Sequence, residues 1–293
     1  MTLEPALVVD AACRLGEGPV WHPDEESLYW VDIDGRAVHR HDPASGDTDR
    51  FGVDDDIGVI GLWFGSTWIA AGRRGIYRLD LPAGSIVLYA DPEGHLPDSR
   101  FNDGKIDRQG RFWAGTLTFE GARSWLYRMG LDLGLEVVDG PFTICNGIGW
   151  SPAGDRMYFV DSMRYVIHRY DFDLATGAVA DRTDLIRFDP ADGIPDGLTV
   201  DVAGDIWCAM YGAGSVLRID PDGEVREAIA IPVSRPTSCA FGGPDLDVLY
   251  VTSAREGIPE DRLRREPLAG GVFSVRPGAR GRPEPRFGAP PPG

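Results

Sequence analysis

The feature that most constrains this chain is a repeat. Units of about 42–50 residues recur along it, each made of short apolar or alternating runs separated by Gly, Asp, Asn and Pro. Pro195–Gly223, PDGLTVDVAGDIWCAMYGAGSVLRIDPDG, displays one unit most plainly. Gly197–Val202 reads as a strand, Ala203-Gly204-Asp205 as a turn and Ile206–Met210 as a second strand. Tyr211–Gly214 turns again, Ser215–Ile219 is a third strand, and a fourth run follows over Glu224–Ile231. Five further stretches carry the same plan, beginning at Gly16, Gly58, Asn102, Asn146 and Thr237.

Long helical periodicity is missing, so the chain reads as all-β. Six four-stranded units predict a six-bladed β-propeller, whose blades stack around an axis and leave only short, protected sheet edges. A barrel or sandwich would show no such internal echo. The N-terminal run Ala6–Val9 is expected to complete the last blade and close the ring, making residues 1–293 one domain. The triplets Leu-Tyr-Trp (28–30), Met-Tyr-Phe (157–159) and Leu-Tyr-Val (249–251) read as core between blades. An insertion, Arg255–Leu268, mixes both charge signs and reads as a solvated loop rather than a lid or helix. The tail Gly278–Gly293 is rich in Pro, Gly and Arg, and its last residues are expected to be disordered.

Composition narrows the partners. A hydrophobic fraction of 43% supports a core, and a net charge of −17 argues against nucleic acid or an anionic membrane. A cation, a neutral small molecule or a basic partner fits better. No apolar run approaches the roughly 18 residues of a membrane span, and MTLEPALVV lacks the basic and apolar regions of a secretory leader. The expectation is a cytoplasmic protein, a monomer or weak homodimer. Cys13, Cys145, Cys208 and Cys239 form no CxxC pair and read as free, buried thiols.

The chemistry is expected where the first strand of each unit begins. These slots hold Glu17 before Gly18, Asn102 before Asp103-Gly104, Asn146 before Gly147 and Asp196 before Gly197. Trp21, Trp150 and Val200 follow four positions later in three of them. The innermost strands of a propeller line its channel, so residues in phase with the repeat converge on one axis. Glu17, Asn146 and Asp196 would then form an oxygen site suited to Ca²⁺, Mg²⁺ or Mn²⁺, with Zn²⁺ as an alternative for an open three-ligand site. Asp-Gly and Asn-Gly are also ordinary turn formers, but turn formation does not account for Glu17. Arg100 and Asn102 offer donors and acceptors for a polyhydroxylated ligand, and Glu120 lies in the same unit. The competing reading there is an Asp103-Gly104 turn with Arg100 in solvent. His22, His39, His41, His95 and His168 read as turn or solvent-facing positions, outside every slot. No GxSxG, HExxH, Walker A or Rossmann motif occurs. Cys145 adjoins Asn146 and reads as packing, since no base partners it.

The motifs RFNDGKID…GRFWAGT, CNGIGWSPAGDRMYFVDS, IPDGLTVD…GDIWCAMYGAGSVLRIDPDG and PTSCAFGGPDLDVLYVTSAR resemble the SMP-30/gluconolactonase/regucalcin-like family, from about Cys13 to Val275. The resemblance implies a six-bladed propeller and a divalent-metal-dependent lactonase that hydrolyses an aldonolactone to the aldonic acid. It implies metal ligation by Glu17, Asn146 and Asp196, with Ca²⁺ first among the candidate ions. It implies substrate contacts at Arg100, Asn102 and Glu120, and makes Asp196 the general base and acid as well as a ligand. The segment TFEGARS after Gly115-Thr116 is short for the family, which leaves the lactone's identity open. Two alternatives stand beside this reading: a non-enzymatic calcium-binding regulatory protein, and an organophosphate hydrolase on the same scaffold.

Overall fold

The protein is described by a computed structural model over residues 3–118 and 121–288. Six antiparallel sheets of four strands each surround an axis. The innermost strands, from the first blade to the sixth, are Gly16–His22, Ile57–Leu62, Ser99–Ile106, Cys145–Trp150, Ile194–Val200 and Pro236–Gly242. In five blades the strands follow outward in chain order. The sixth is composite: Pro236–Gly242, Val248–Ser253 and Val272–Val275 take Ala6–Val9 as their outer strand. Ala6 lies opposite Ser274 and Leu7 opposite Phe273, so the chain's start fastens its end.

The triplets explain why the inner strands look apolar throughout. Successive side chains on a strand point to opposite faces, and here both faces are covered by neighbouring blades. Leu28 and Trp30 enter the core shared with Val248 and Tyr250 of the sixth blade. Tyr29, between them, enters the core shared with Ile57 and Trp68 of the second. Met157 and Phe159 separate from Tyr158 in the same way. Each large side chain so buried contributes about 1.5–3 kcal/mol.

The turns repeat as well. Asp201 Oδ1 accepts from the backbone N–H of Ala203, Gly204 and Asp205, while its Oδ2 accepts from Trp207 Nε1 at 3.0 Å. Asp107 caps its own turn and holds Trp113 Nε1 at 2.9 Å. One carboxylate thus closes the turn after the innermost strand and anchors the tryptophan of the next. All four cysteines are free and buried.

Two expectations need correction. His22, His39, His41 and His168 are buried rather than solvent-facing, because His22 ends the innermost strand of the first blade and the other three lie on third strands, which neighbouring blades and outer strands cover; His95 alone is exposed. The insertion is only partly solvated: it contains a one-turn helix, Glu260–Leu263, and Ile258 is buried against the sixth-blade core. The tail is packed as far as Gly288. It crosses the face where the turns follow the innermost strands, and it meets that turn in every blade. Arg280 O accepts from Val202 N, Gly281 N donates to Leu246 O, and Arg282 Nη1 donates to Pro152 O. Arg286 reaches Asp24 and Trp63, Phe287 N donates to Leu62 O, and Gly288 N to Gly110 O. Phe287 is 1% exposed and meets Trp63 edge-on. The expected disorder of the last residues concerns positions 289–293, which lie outside the described residues.

Candidate metal centre

The opposite face carries the slots. Every innermost strand breaks register with its neighbour at the same place: between Glu17 and Val20, Ile57 and Val59, Phe101 and Asp103, Cys145 and Ile148, Pro195 and Leu198, and Pro236 and Cys239. A bulge frees a residue from the ladder and re-aims its side chain. Asn102, Asn146 and Asp196 fall inside these irregularities and Glu17 at the edge of one. The glycines beside them permit close approach of neighbouring blades. A Cβ on Gly147 would lie 2.6 Å from Leu198 N and 2.7 Å from Asp196 O, and one on Gly58 2.4 Å from Asn102 O.

Hydrogen bonds then lock blade to blade. Asn102 Nδ2 donates to Cys145 O at 2.9 Å. Asn146 Nδ2 donates to Ser162 Oγ at 3.1 Å, and Ser162 Oγ donates to Pro195 O at 2.8 Å. Thr237 Oγ1 donates to Gly16 O at 2.5 Å. The Asn102 and Asn146 slots are thus tied to the following blade, and the strand that carries Glu17 to the sixth.

Glu17, Asn146 and Asp196 are each only 7% exposed. Two of their oxygens, Asn146 Oδ1 and Asp196 Oδ1, are buried with no hydrogen-bond partner among the described residues. Glu17 Oε2 accepts from Gly18 N at 3.0 Å. Burial, then the charges of Asp196 and Asp103, push the Glu17 carboxyl well above its ordinary range. Burial, then Asp103, does the same to Asp196, opposed by the neighbouring Asn146 amide. Three acids crowd one another with few donors, which is the electrostatic condition a cation relieves. The donor set is all oxygen and suits a hard divalent ion.

Asp103 is the residue that the sequence pattern passed over. It does not form a turn: it lies in strand Ser99–Ile106, paired with Gly115, and is buried. Burial raises its carboxyl to about 6. Its signal was the second acid of the slot itself, hidden by the familiarity of Asp-Gly. Arg100 is likewise not in solvent. It is 7% exposed, and the hydrogen bonds it makes within the protein use Nη1, to Asn102 Oδ1 at 2.7 Å and Phe101 O at 3.1 Å. Its charge is felt at both Glu17 and Asp196. Arg100 and Asn102 thus stand together at the mouth that holds Glu17, Asn146 and Asp196. Glu120 lies outside the described residues. Cys145 is buried and its thiol is raised by burial and by Asp161, which fits packing rather than reactivity.

A second group of ligand-type atoms sits at the edge of the first blade. Cys13, Asp32 and His39 bring theirs within 4.8 Å of one another. Asp32 already accepts from the backbone N–H of Arg14, Leu15 and Gly35, Trp30 Nε1 donates to Cys13 Sγ, and His39 stacks on Trp30. These contacts make it a packing cluster.

Comparison with known proteins agrees with the fold. The profile of the SMP-30/gluconolactonase/LRE-like region matches residues 15–255. Regucalcin of Xenopus laevis is 34% identical over 276 residues, 92% of each chain. YvrE of Bacillus subtilis, named as a sugar lactone lactonase, is 34% identical over 277 residues, 94% of this chain and 95% of that one. Among solved structures, a calcium-binding protein, regucalcin, from Agrobacterium tumefaciens superposes with a TM-score of 0.93 at 29% identity, covering 98% of both chains.

Proposed function

The chain belongs to the SMP-30/gluconolactonase/LRE-like family, and from that premise we propose that it is a divalent-metal-dependent lactonase opening a sugar lactone to its hydroxy acid. The observation that carries the reading is the pair of buried oxygens, Asn146 Oδ1 and Asp196 Oδ1, without a partner among the described residues, with the Asp196 charge felt at the buried Glu17 carboxyl. Glu17, Asn146 and Asp196 would hold the ion, with Ca²⁺ the first candidate and Mg²⁺, Mn²⁺ and Zn²⁺ as alternatives. When bound, the ion supplies Lewis-acid polarisation of the lactone carbonyl.

The protein's own groups do the rest. Arg100 turns its remaining N–H groups toward the ring hydroxyls, and Asn102, held at both ends, adds a donor and an acceptor. That fixes the carbonyl for attack. Asp196 takes a proton from the attacking water as the new C–O bond forms. It then returns that proton to the ring oxygen as the old C–O bond breaks. Ser162 is a positioning residue: it tethers Asn146 to the backbone that precedes Asp196.

The test is a panel of sugar lactones assayed after chelation and reloading with Ca²⁺, Mg²⁺, Mn²⁺ or Zn²⁺. Hydrolysis that requires a metal and is lost in Asp196→Ala supports the proposal. Metal binding without turnover on any lactone would leave a calcium-binding protein, the function that the Agrobacterium relative's name describes.

A further inference from the structure

The tail and the turns it crosses enclose a cavity of about 480 Å³ at the end of the channel remote from the slots, a size typical of small-molecule sites. Lys105, Arg108, Arg282 and Arg286 line it, with only Asp24 and Glu284 as acids. Two of these cations are matched. Arg286 Nη2 lies 2.6 Å from Asp24, and Lys105 Nζ lies 3.7 Å from Glu284. Arg108 and Arg282 have no carboxylate partner among the described residues. Among the described residues Arg282 donates only to Pro152 O, at 3.0 Å. Burial, then the positive charge of Arg108, holds its guanidinium below the ordinary value.

Two buried donors on residues of this wall, Arg108 Nε and Trp150 Nε1, have no hydrogen-bond partner among the described residues. Buried polar groups in folded proteins are nearly always satisfied, so each exception calls for an explanation. A chain with 46 acidic and 29 basic residues has nonetheless put two guanidiniums without carboxylate partners among the described residues on one cavity wall, the charge of Arg108 being felt at Arg282. Trp150, Val200, Pro283 and Pro285 supply apolar wall.

We propose that this cavity is a second ligand site, for a small organic acid. Its carboxylate sits between Arg108 and Arg282, and its apolar or aromatic body lies against Trp150 and Val200. Guanidinium forks match carboxylate geometry, and the anion relieves the repulsion between them. A fully hydroxylated sugar acid does not suit the apolar wall, so this ligand differs in class from the product of lactone opening. The inference is independent of the lactonase reading, because it uses none of the slot residues.

Benzoate is the probe. Titrated into ¹⁵N-labelled protein, it is expected to shift the indole N–H resonance of Trp150 saturably, the resonance being identified by its loss in Trp150→Phe. Benzamide, the uncharged isostere, is expected to leave it in place. Arg108→Gln and Arg282→Gln should each weaken binding by about tenfold or more, and Asp196→Ala should not change it. Arg108→Gln should also keep or raise the melting temperature, since it removes a like-charged neighbour. Absence of a saturable shift overturns the proposal, as does a shift that both arginine substitutions leave intact. A lowered melting temperature with benzoate binding retained would mark Arg108 as a structural strut instead. If Arg108→Gln does not fold, Arg282→Gln decides the matter alone.

Discussion

The two ends of the channel lie one strand apart and are built in opposite ways. At one end Glu17, Asp103 and Asp196 crowd together with Asn146. At the other, Lys105, Arg108, Arg282 and Arg286 face a cavity. Strand Ser99–Ile106 serves both, since Asp103 and Lys105, two residues apart, line the same channel. Glu17, Asn146 and Asp196 come from equivalent positions of the repeat at or within the bulges, and Asp103 joins them from the position after its own. The basic end owes much of its charge to the tail, which belongs to no repeat. Six-fold architecture thus brings identical positions to one axis, and a single unrepeated segment suffices to give the far end a different chemistry.

Breaking the acid end should have the largest effect. Asp196→Ala removes a ligand and the proton carrier together, and kcat/KM for lactone hydrolysis should fall by about 10³-fold or more. Glu17→Gln keeps the shape and removes one charge. Metal affinity measured by calorimetry should fall by about 10–100-fold, while the chelated protein should melt higher than chelated wild type, because one of three repelling acids is gone. Equal melting temperatures in the metal-free proteins would show that the acids do not burden the fold.

Gly147→Ala tests the close approach rather than the charge. Its Cβ meets backbone on the adjacent blade, so urea unfolding should report a loss of up to about 3 kcal/mol, with metal affinity reduced alongside. A buried imidazole away from both ends offers a smaller, pH-dependent effect. Burial lowers His39 to about 4, so the unfolded chain takes up a proton near pH 6.5 that the folded protein refuses. Stability is then fully present above about pH 6.5 and lost as pH falls toward 4, by an amount on the order of 2 kcal/mol. Unfolding measured across that range should show a flatter pH profile in His39→Gln; an unchanged slope would assign the loss to other groups. The smallest effect belongs to the basic end: Arg108→Gln should leave kcat/KM within about twofold. A larger fall would mean that the two ends are coupled.

Much of the acid end was legible in the chain because it repeats. Glu17, Asn146 and Asp196 share a phase, and phase survives without coordinates. Asp103 was passed over because Asp-Gly has a strong local explanation as a turn, and a strand residue after a bulge carries the same two letters. The histidines were misread for a related reason. Alternation assigns a side chain to one of two faces of a strand, but in stacked blades both faces are interior. The tail's Pro, Gly and Arg content argued against regular structure. Its packing comes instead from single anchors, Arg286 and Phe287, on turns far away in sequence.

By itself, then, the sequence determined what near neighbours decide: strand periods, turn chemistry, the number of units and the phase of their polar residues. Tertiary structure alone decided which charges share a space. Burial and mutual repulsion depend on distances through the fold, and those were set by ring closure through Ala6–Val9 and by the course of the tail across six turns.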